Sequence, residues 1–322
     1  MITKFGKRFL TNYLAGNVPF SQKDIALGIG SSTETDLSTR LDFEFFRFPA
    51  EFGSIDIETN ETASPITARD GETTIAPGDT LYSVVYKTTI PQEVSGVITE
   101  VGIYPASGVA ANKFTGKMIS LFDDVTNWNL VGGTGNPEFT PTSNTYVARV
   151  GNSTSKITND GVSTAIEYKA SIPVTDFSGY TSADTLVLSY IKADTNLSKI
   201  KIKLYSDETS YYYLEYSSTS GTIEDGGSWA ALGNKIHSVT LANLVNQYSG
   251  TPLLSNIISI GIEVTCSSSA SPATIYLDAL RINDEDTFDP INGMISRSVL
   301  ATEVVKSAGQ QLDLEYRVGL NF

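Results

Sequence analysis

The sequence predicts a mainly β protein: a small α+β domain with one N-terminal helix and an antiparallel sheet, into which a β-sandwich is inserted. Three observations carry this. The chain is 40% hydrophobic and only 18% charged, so it folds rather than staying disordered, and its abundant Thr, Ser, Tyr and Val favour strands. Short segments of alternating polarity recur between polar turns. The texture of the first hundred residues returns only after residue 286, which separates a split outer domain from a contiguous inner one. At 322 residues the chain is long enough for both.

Taken in order, Thr3 is placed to cap a helix whose apolar positions, Phe5, Phe9, Leu10, Tyr13 and Leu14, recur at helical spacing. Gly16 and Pro19 end it. Asp24–Gly30 reads as a short strand closing in Gly-Ile-Gly. A third glycine and a following apolar helix are missing, so no phosphate cradle is implied. In Leu41–Pro49, Leu41, Phe43, Phe45 and Arg47 alternate with Asp42, Glu44, Phe46 and Phe48, as in a strand buried on one face with Phe46 and Phe48 at an exposed edge. The acidic segment Glu51–Asp79 reads as a pair of short strands or a long loop, with a hairpin turn at Asp70-Gly71. Val84–Ile90 and Val97–Tyr104 are strands separated by Pro91 and the Ser95-Gly96 turn.

A small-residue linker follows Tyr104. Strands are then expected at Tyr146–Val150, Ala165–Ile172, Thr185–Ala193, Lys199–Ser206, Tyr211–Ser217, His237–Leu241, Ile257–Thr265 and Thr274–Ile282, a spacing that suits two stacked sheets. The outer domain is accordingly 1–116 plus 286–322 and the insert 117–285. Insertion requires Lys117 and Glu285 to lie near one another.

The run IPQEVSGVITEVGIY, with DIALGIG, LDFEFFRFP and the closing LDLEYRVGLNF, resembles the N-terminal attachment domain of bacteriophage tail-fibre and tail-collar proteins. That resemblance implies a virion structural protein, assembled in the host cytoplasm, that docks on other virion proteins of tail, baseplate or capsid and forms a homo-oligomer. It supplies no catalytic residue. A capsid decoration or collar protein that stabilises the particle fits the same segments.

The insert opens with LFDDVTNWNL and closes with IYLDALRIND, and resembles a carbohydrate-binding module of the jelly-roll type. The resemblance implies a structural calcium held by Asp123, Asp124 and Asp278, oxygen ligands of the kind calcium takes, and host-surface glycans as ligands. Sugar recognition needs flat apolar rings beside polar groups. The segment Thr209–Ser218 offers Tyr211 and Tyr213 on one strand face and Tyr212 and Tyr216 on the other, one face being core. Trp128 and Trp229 are further candidates, although large aromatics equally fill sandwich cores.

Other functions are disfavoured. A net charge of −14 opposes binding to nucleic acid or anionic membrane. No apolar run is long enough to span a bilayer, and the start MITKFGKRFL lacks the apolar region of a secretion signal. One cysteine and one histidine make neither an internal disulfide nor a zinc site, and Cys266 suits a buried strand position. His237 lacks the flanking signature of a nucleophilic site, and no Asp/Glu spacing marks a glycosidase pair. A non-enzymatic protein is expected; a carbohydrate-processing enzyme is the alternative of another class.

Overall fold

A computed structural model describes residues 2–15, 23–38, 40–71, 73–105, 117–142, 148–217, 222–223, 235–283 and 293–320. The chain divides into two compact units, Met1–Thr115 with Thr287–Phe322, and Gly116–Asp286. Both are built on antiparallel sheets.

The first unit begins with α1 (Lys4–Leu14). Thr3 caps it, its hydroxyl accepting from the Gly6 amide at 2.9 Å, which satisfies one of the free donors of the first turn. Phe9 is buried, but Leu14, predicted for the same stripe, is exposed at the helix end. The strands are β1 (Lys23–Gly28) and β2 (Glu44–Thr59). A two-residue ladder of β3 (Ile66–Thr67) and β4 (Thr74–Ile75) brackets the predicted turn, with Gly71 at φ 77°. Then come β5 (Thr80–Ile90) and β6 (Gly96–Pro105).

The reading of Glu51–Asp79 as short strands or loop is corrected at its start. β2 runs past Pro49 to Thr59, pairing with β1 over Glu44–Ala50 and with β5 over Glu51–Thr59. Proline is tolerated because residue 49 lies beside the change of partner, and a register shift at Phe52/Ser54 bends the strand there.

In the second unit, β7 (Lys117–Ser120), β8 (Trp128–Gly132), β9 (Glu138–Thr142) and β10 (Thr154–Asn159) precede β11 (Ala165–Thr175), β12 (Thr185–Ala193), β13 (Leu197–Tyr205) and β14 (Tyr211–Tyr216). After them come β15 (Thr222–Ile223), β16 (Lys235–Thr240), β17 (Tyr248–Ser249), β18 (Ile257–Cys266) and β19 (Ala273–Asn283). The chain closes in the first unit with β20 (Ser296–Lys306) and β21 (Leu312–Leu320). Strands β7 to β10 escaped prediction, being short and polar. Residues 148–150 of the expected Tyr146–Val150 strand are not strand, and its first two residues lie outside those described. Lys117 pairs with Ile282; Glu285 is outside the described residues.

The first unit is one sheet in the order β20-β6-β1-β2-β5-β21. Its end strands approach through the Tyr316 hydroxyl, 3.0 Å from that of Ser296. The second unit is a β-sandwich of two sheets, β15-β16-β12-β19-β10-β9 with β7 on β19, and β17-β14-β13-β18-β11-β8. Alternate residues of both, including Ile157, Leu188, Ile202, Ile262 and Leu277, form one core. Each such side chain contributes roughly 1.5–3 kcal/mol on burial.

Candidate functional site

The motifs behind the sequence resemblance converge in the first unit on a buried carboxylate. Glu100 of β6 is fully buried. Its Oε1 accepts from the amides of Gly30 (2.9 Å) and Phe43 (3.0 Å), and its Oε2 from the Asp42 amide (3.1 Å) and the Arg297 Nη2 (2.7 Å). Arg297 also reaches Asp42 at 2.8 Å and Ser32 at 3.2 Å. The Gly-Ile-Gly of residues 28–30 is thereby explained. A Cβ on Gly28 would stand 2.4 Å from the Glu100 carboxylate, and one on Gly30 2.4 Å from Asp42 Cβ, so both glycines make room for this clasp. Tyr104 completes it, its hydroxyl accepting from the Leu41 amide at 3.2 Å while Arg47 lies 3.8 Å over its ring. Burial and the Asp42 charge push Glu100 upward in pKa, against Arg297 and the amides. Every oxygen of Glu100 is engaged inside the protein, so the clasp orders the β1–β2 loop and leaves nothing for a ligand.

The second unit differs. On β14, Leu214 and Tyr216 point into the sandwich, whereas Tyr211 and Tyr213 point out and are half-buried. Tyr216 is removed from the list of ligand-facing residues: it is 0% exposed, donates to the Leu186 carbonyl at 2.8 Å and meets His237 edge-on. Tyr212 also belongs to the inner side, packing on the core and donating to the Pro252 carbonyl at 3.0 Å. Trp128 packs against the core between Phe122 and Phe139. Trp229 lies outside the described residues. Cys266 and His237 are both buried.

Around Tyr211 and Tyr213 the outward face carries a charged lattice whose pairings only the strand order sets. Along β13 the inward Ile200, Ile202 and Leu204 alternate with outward Lys199, Lys201, Lys203 and Tyr205. Lys199 pairs with Glu215 (2.9 Å), Lys201 with Glu263 (3.3 Å), and Lys203 with both Glu167 (2.6 Å) and Glu263 (2.8 Å). Burial pulls the Lys203 ammonium down, but its two carboxylate partners more than reverse this and hold it charged. The Tyr205 hydroxyl donates to Glu167, and burial with that bond raises its pKa well above the usual phenol range. Gly261 permits the arrangement, since a Cβ there would stand 2.7 Å from Glu167 Oε1 and 2.9 Å from the Tyr205 ring.

The tyrosines form a row. Ring centroids are 6.3 Å apart for Tyr213 and Tyr211 and 4.8 Å for Tyr211 and Tyr205. Lys201, Lys203 and Lys169 lie 5.0, 4.7 and 3.8 Å from the ring centres of Tyr213, Tyr211 and Tyr205 respectively, fixing ring orientation by cation–π attraction. Pre-positioned aromatic rings beside charged hydrogen-bonding groups suit a polyhydroxylated ligand, because less side-chain entropy is lost on binding. The signal for this site in the sequence is the run KIKIKLY followed by YYYLEY, read at period two.

The three aspartates named for calcium each accept hydrogen bonds from the protein. Asp278 is fully buried in β19, one oxygen accepting from the Arg149 (3.1 Å) and Val150 (3.3 Å) amides and the other from Ser189 Oγ (3.0 Å). Burial pushes its pKa up to about 7. Asp123 accepts from the amides of Asn152 and Ser153, and Asp124 from that of Thr126. Asp123 and Asp278 thus both tie down the 149–153 segment while Asp124 serves its own turn, and among the described residues no group of three acidic, His or Cys side chains is placed to hold a metal ion.

No protein-family model matches the sequence, and no curated protein matches it significantly. Among solved structures, a family 11 carbohydrate-binding module of a cellulosomal cellulase from Clostridium thermocellum is 16% identical, with a TM-score of 0.38, covering 53% of this chain and 95% of that one. An exo-β-agarase is 12% identical with a TM-score of 0.36, covering 53% of this chain and 25% of the agarase. The enzymatically active domain of tailspike protein 4 from bacteriophage CBA120 is 12% identical with a TM-score of 0.29, covering 51% of this chain and 20% of that one. Likenesses at this level carry no functional argument, and the site is argued from its own geometry.

Proposed function

We propose that the chain is a non-enzymatic structural component of a bacteriophage particle whose second unit binds saccharides of the host surface. The observation that carries the binding half is the outward row of Tyr213, Tyr211 and Tyr205 set in a lattice of Lys and Glu side chains. The half-buried rings of Tyr211 and Tyr213, backed by the buried Tyr205 and set beside charged donors and acceptors, give both the stacking surface and the hydroxyl partners that a sugar requires. A glycan array probed with the full chain tests it. Tyr211→Ala and Tyr213→Ala are each expected to weaken binding about tenfold, ~1.4 kcal/mol, in protein shown by its thermal transition still to be folded. Failure of the wild-type chain to bind any surface glycan removes this half.

The virion half rests on the sequence resemblance of the first unit. It is supported by an uncovered apolar face: Phe52, Ile55 and Ile57 of β2, paired across from Tyr86, Val84 and Tyr82, are 58, 62 and 60% exposed. Such a face suits contact with other virion proteins or further copies of this chain, and repeated copies would multiply weak saccharide affinity. Antibody raised against the full chain should label the tail or its fibres in intact particles. Labelling of the head would move the reading to a capsid decoration protein, and particles without label would remove the virion assignment.

A further inference from the structure

The saccharide reading of the tyrosine face leaves open which chemical class of sugar it takes, and the charge pattern of that face bears on the answer. Four lysines and three glutamates line it. Lys199, Lys201 and Lys203 are each within 4 Å of a carboxylate, and between them they engage Glu215, Glu263 and Glu167. Among the described residues Lys169 of β11 has no such partner. Its ammonium donates to the backbone carbonyl of Glu208 at 3.3 Å and sits 3.8 Å over the Tyr205 ring. Among the described residues Lys169 is therefore the one lysine of this face without a carboxylate within 4 Å, which leaves its charge without an ion pair, although the chain as a whole carries −14. That charge stands at the end of the aromatic row, beyond Tyr205, where a chain of sugars stacked along Tyr213 and Tyr211 would arrive.

We propose, on the footing of the saccharide reading, that the ligand is an anionic saccharide whose acidic substituent is met by Lys169. A neutral glycan would leave this ammonium with only a carbonyl and a ring face. A carboxylate on the sugar supplies the missing counter-charge without displacing any of the existing ion pairs. The same chemistry would serve a uronate, a sulfate ester or a phosphodiester. At physiological salt the repulsion from the rest of the acidic chain is screened beyond about 8 Å, so the local charge governs the contact.

The test uses matched ligands. Full-length protein is titrated with oligogalacturonate, alginate and hyaluronan oligosaccharides and with the same oligosaccharides after carboxyl reduction, and sulfated and phosphate-bearing glycans form a second arm that separates the sources of negative charge. At least one acidic form should bind roughly tenfold more tightly than its neutral counterpart, the scale of one hydrogen bond to a charged group. Lys169→Gln should abolish that preference and Lys169→Arg should keep it. Lys169→Gln gives up the cation–π contact with Tyr205 and should lower the thermal transition only slightly, whereas Lys169→Arg keeps it. Equal binding of acidic and neutral forms, or a preference that survives in Lys169→Gln, overturns the proposal while the saccharide reading stands. Loss of Tyr211→Ala sensitivity, or no binding to any saccharide, overturns the reading itself and the proposal with it.

Discussion

Two networks of charged residues, one in each unit, use the same chemistry to opposite ends. In the first, Glu100 and Arg297 are both buried, and the oxygens of Glu100 are taken up by three amides and the guanidinium. In the second, Lys203 and Glu167 form an equally short and largely buried pair, but it lies beside the half-buried Tyr211 and near Lys169, whose ammonium has no carboxylate within 4 Å among the described residues. Saturation inside the protein marks the first as structure. In the second, Lys169 keeps donors that no carboxylate among the described residues engages, and the proposed ligand contact rests on that difference. Residue type does not distinguish them; burial and the count of remaining partners do.

The comparison breaks most visibly at Arg297. Arg297→Met leaves Glu100 buried beside Asp42 without its cation and should cost about 3–5 kcal/mol. Both tryptophans, Trp128 and Trp229, fall in the second unit. Urea unfolding followed by circular dichroism should therefore show the loss, while tryptophan fluorescence should not. An unchanged dichroism transition would mean that the clasp does not hold the first unit together.

Gly30→Ala is expected to cost about 1–3 kcal/mol in the same transition, the scale of overpacking a closed site, because its Cβ would overlap Asp42. Asp278 provides a pH-dependent case in the second unit. Its folded pKa of about 7 lies above the unfolded value of about 3.9. The folded state therefore holds its proton more tightly, and the contribution is favourable at low pH and is lost as pH rises from about 4 through 7. Asp278→Asn should flatten this decline in the fluorescence-detected transition; an undiminished slope would assign it to other groups. The smallest effect belongs to the open face, where Lys199→Gln should change stability by less than about 1 kcal/mol. A larger loss there would erase the distinction between the two networks.

Much of the fold could be read from the sequence, because strands reveal themselves by alternation. Ala165–Ile172, Lys199–Ser206 and Ile257–Thr265 anticipate β11, β13 and β18 closely, since each faces a core on one side and solvent on the other. β8 and β9 were missed: Asn129, Thr140 and Pro141 give no apolar alternation, and these strands exist because β11 and β10 offer them an edge. β2 was cut short at Pro49 because local rules stop a strand at proline, whereas the change of partner from β1 to β5 carries it onward. Within the candidate site, Tyr211 and Tyr213 were named, but which side of β14 met water was not.

By itself the sequence determined the β character, the helix cap at Thr3 and the opposed faces of Tyr211/Tyr213 and Tyr212/Tyr216, because each depends on residues a few positions apart. Only the tertiary structure decided that Tyr216 is core, that Asp123 and Asp278 both tie down the 149–153 segment, that Gly28 and Gly30 accommodate a carboxylate some seventy residues away, and that Lys169 is left over when its described neighbours have paired. Those outcomes depend on which strands lie side by side, and a charge is spent or unspent only once its neighbours are in place.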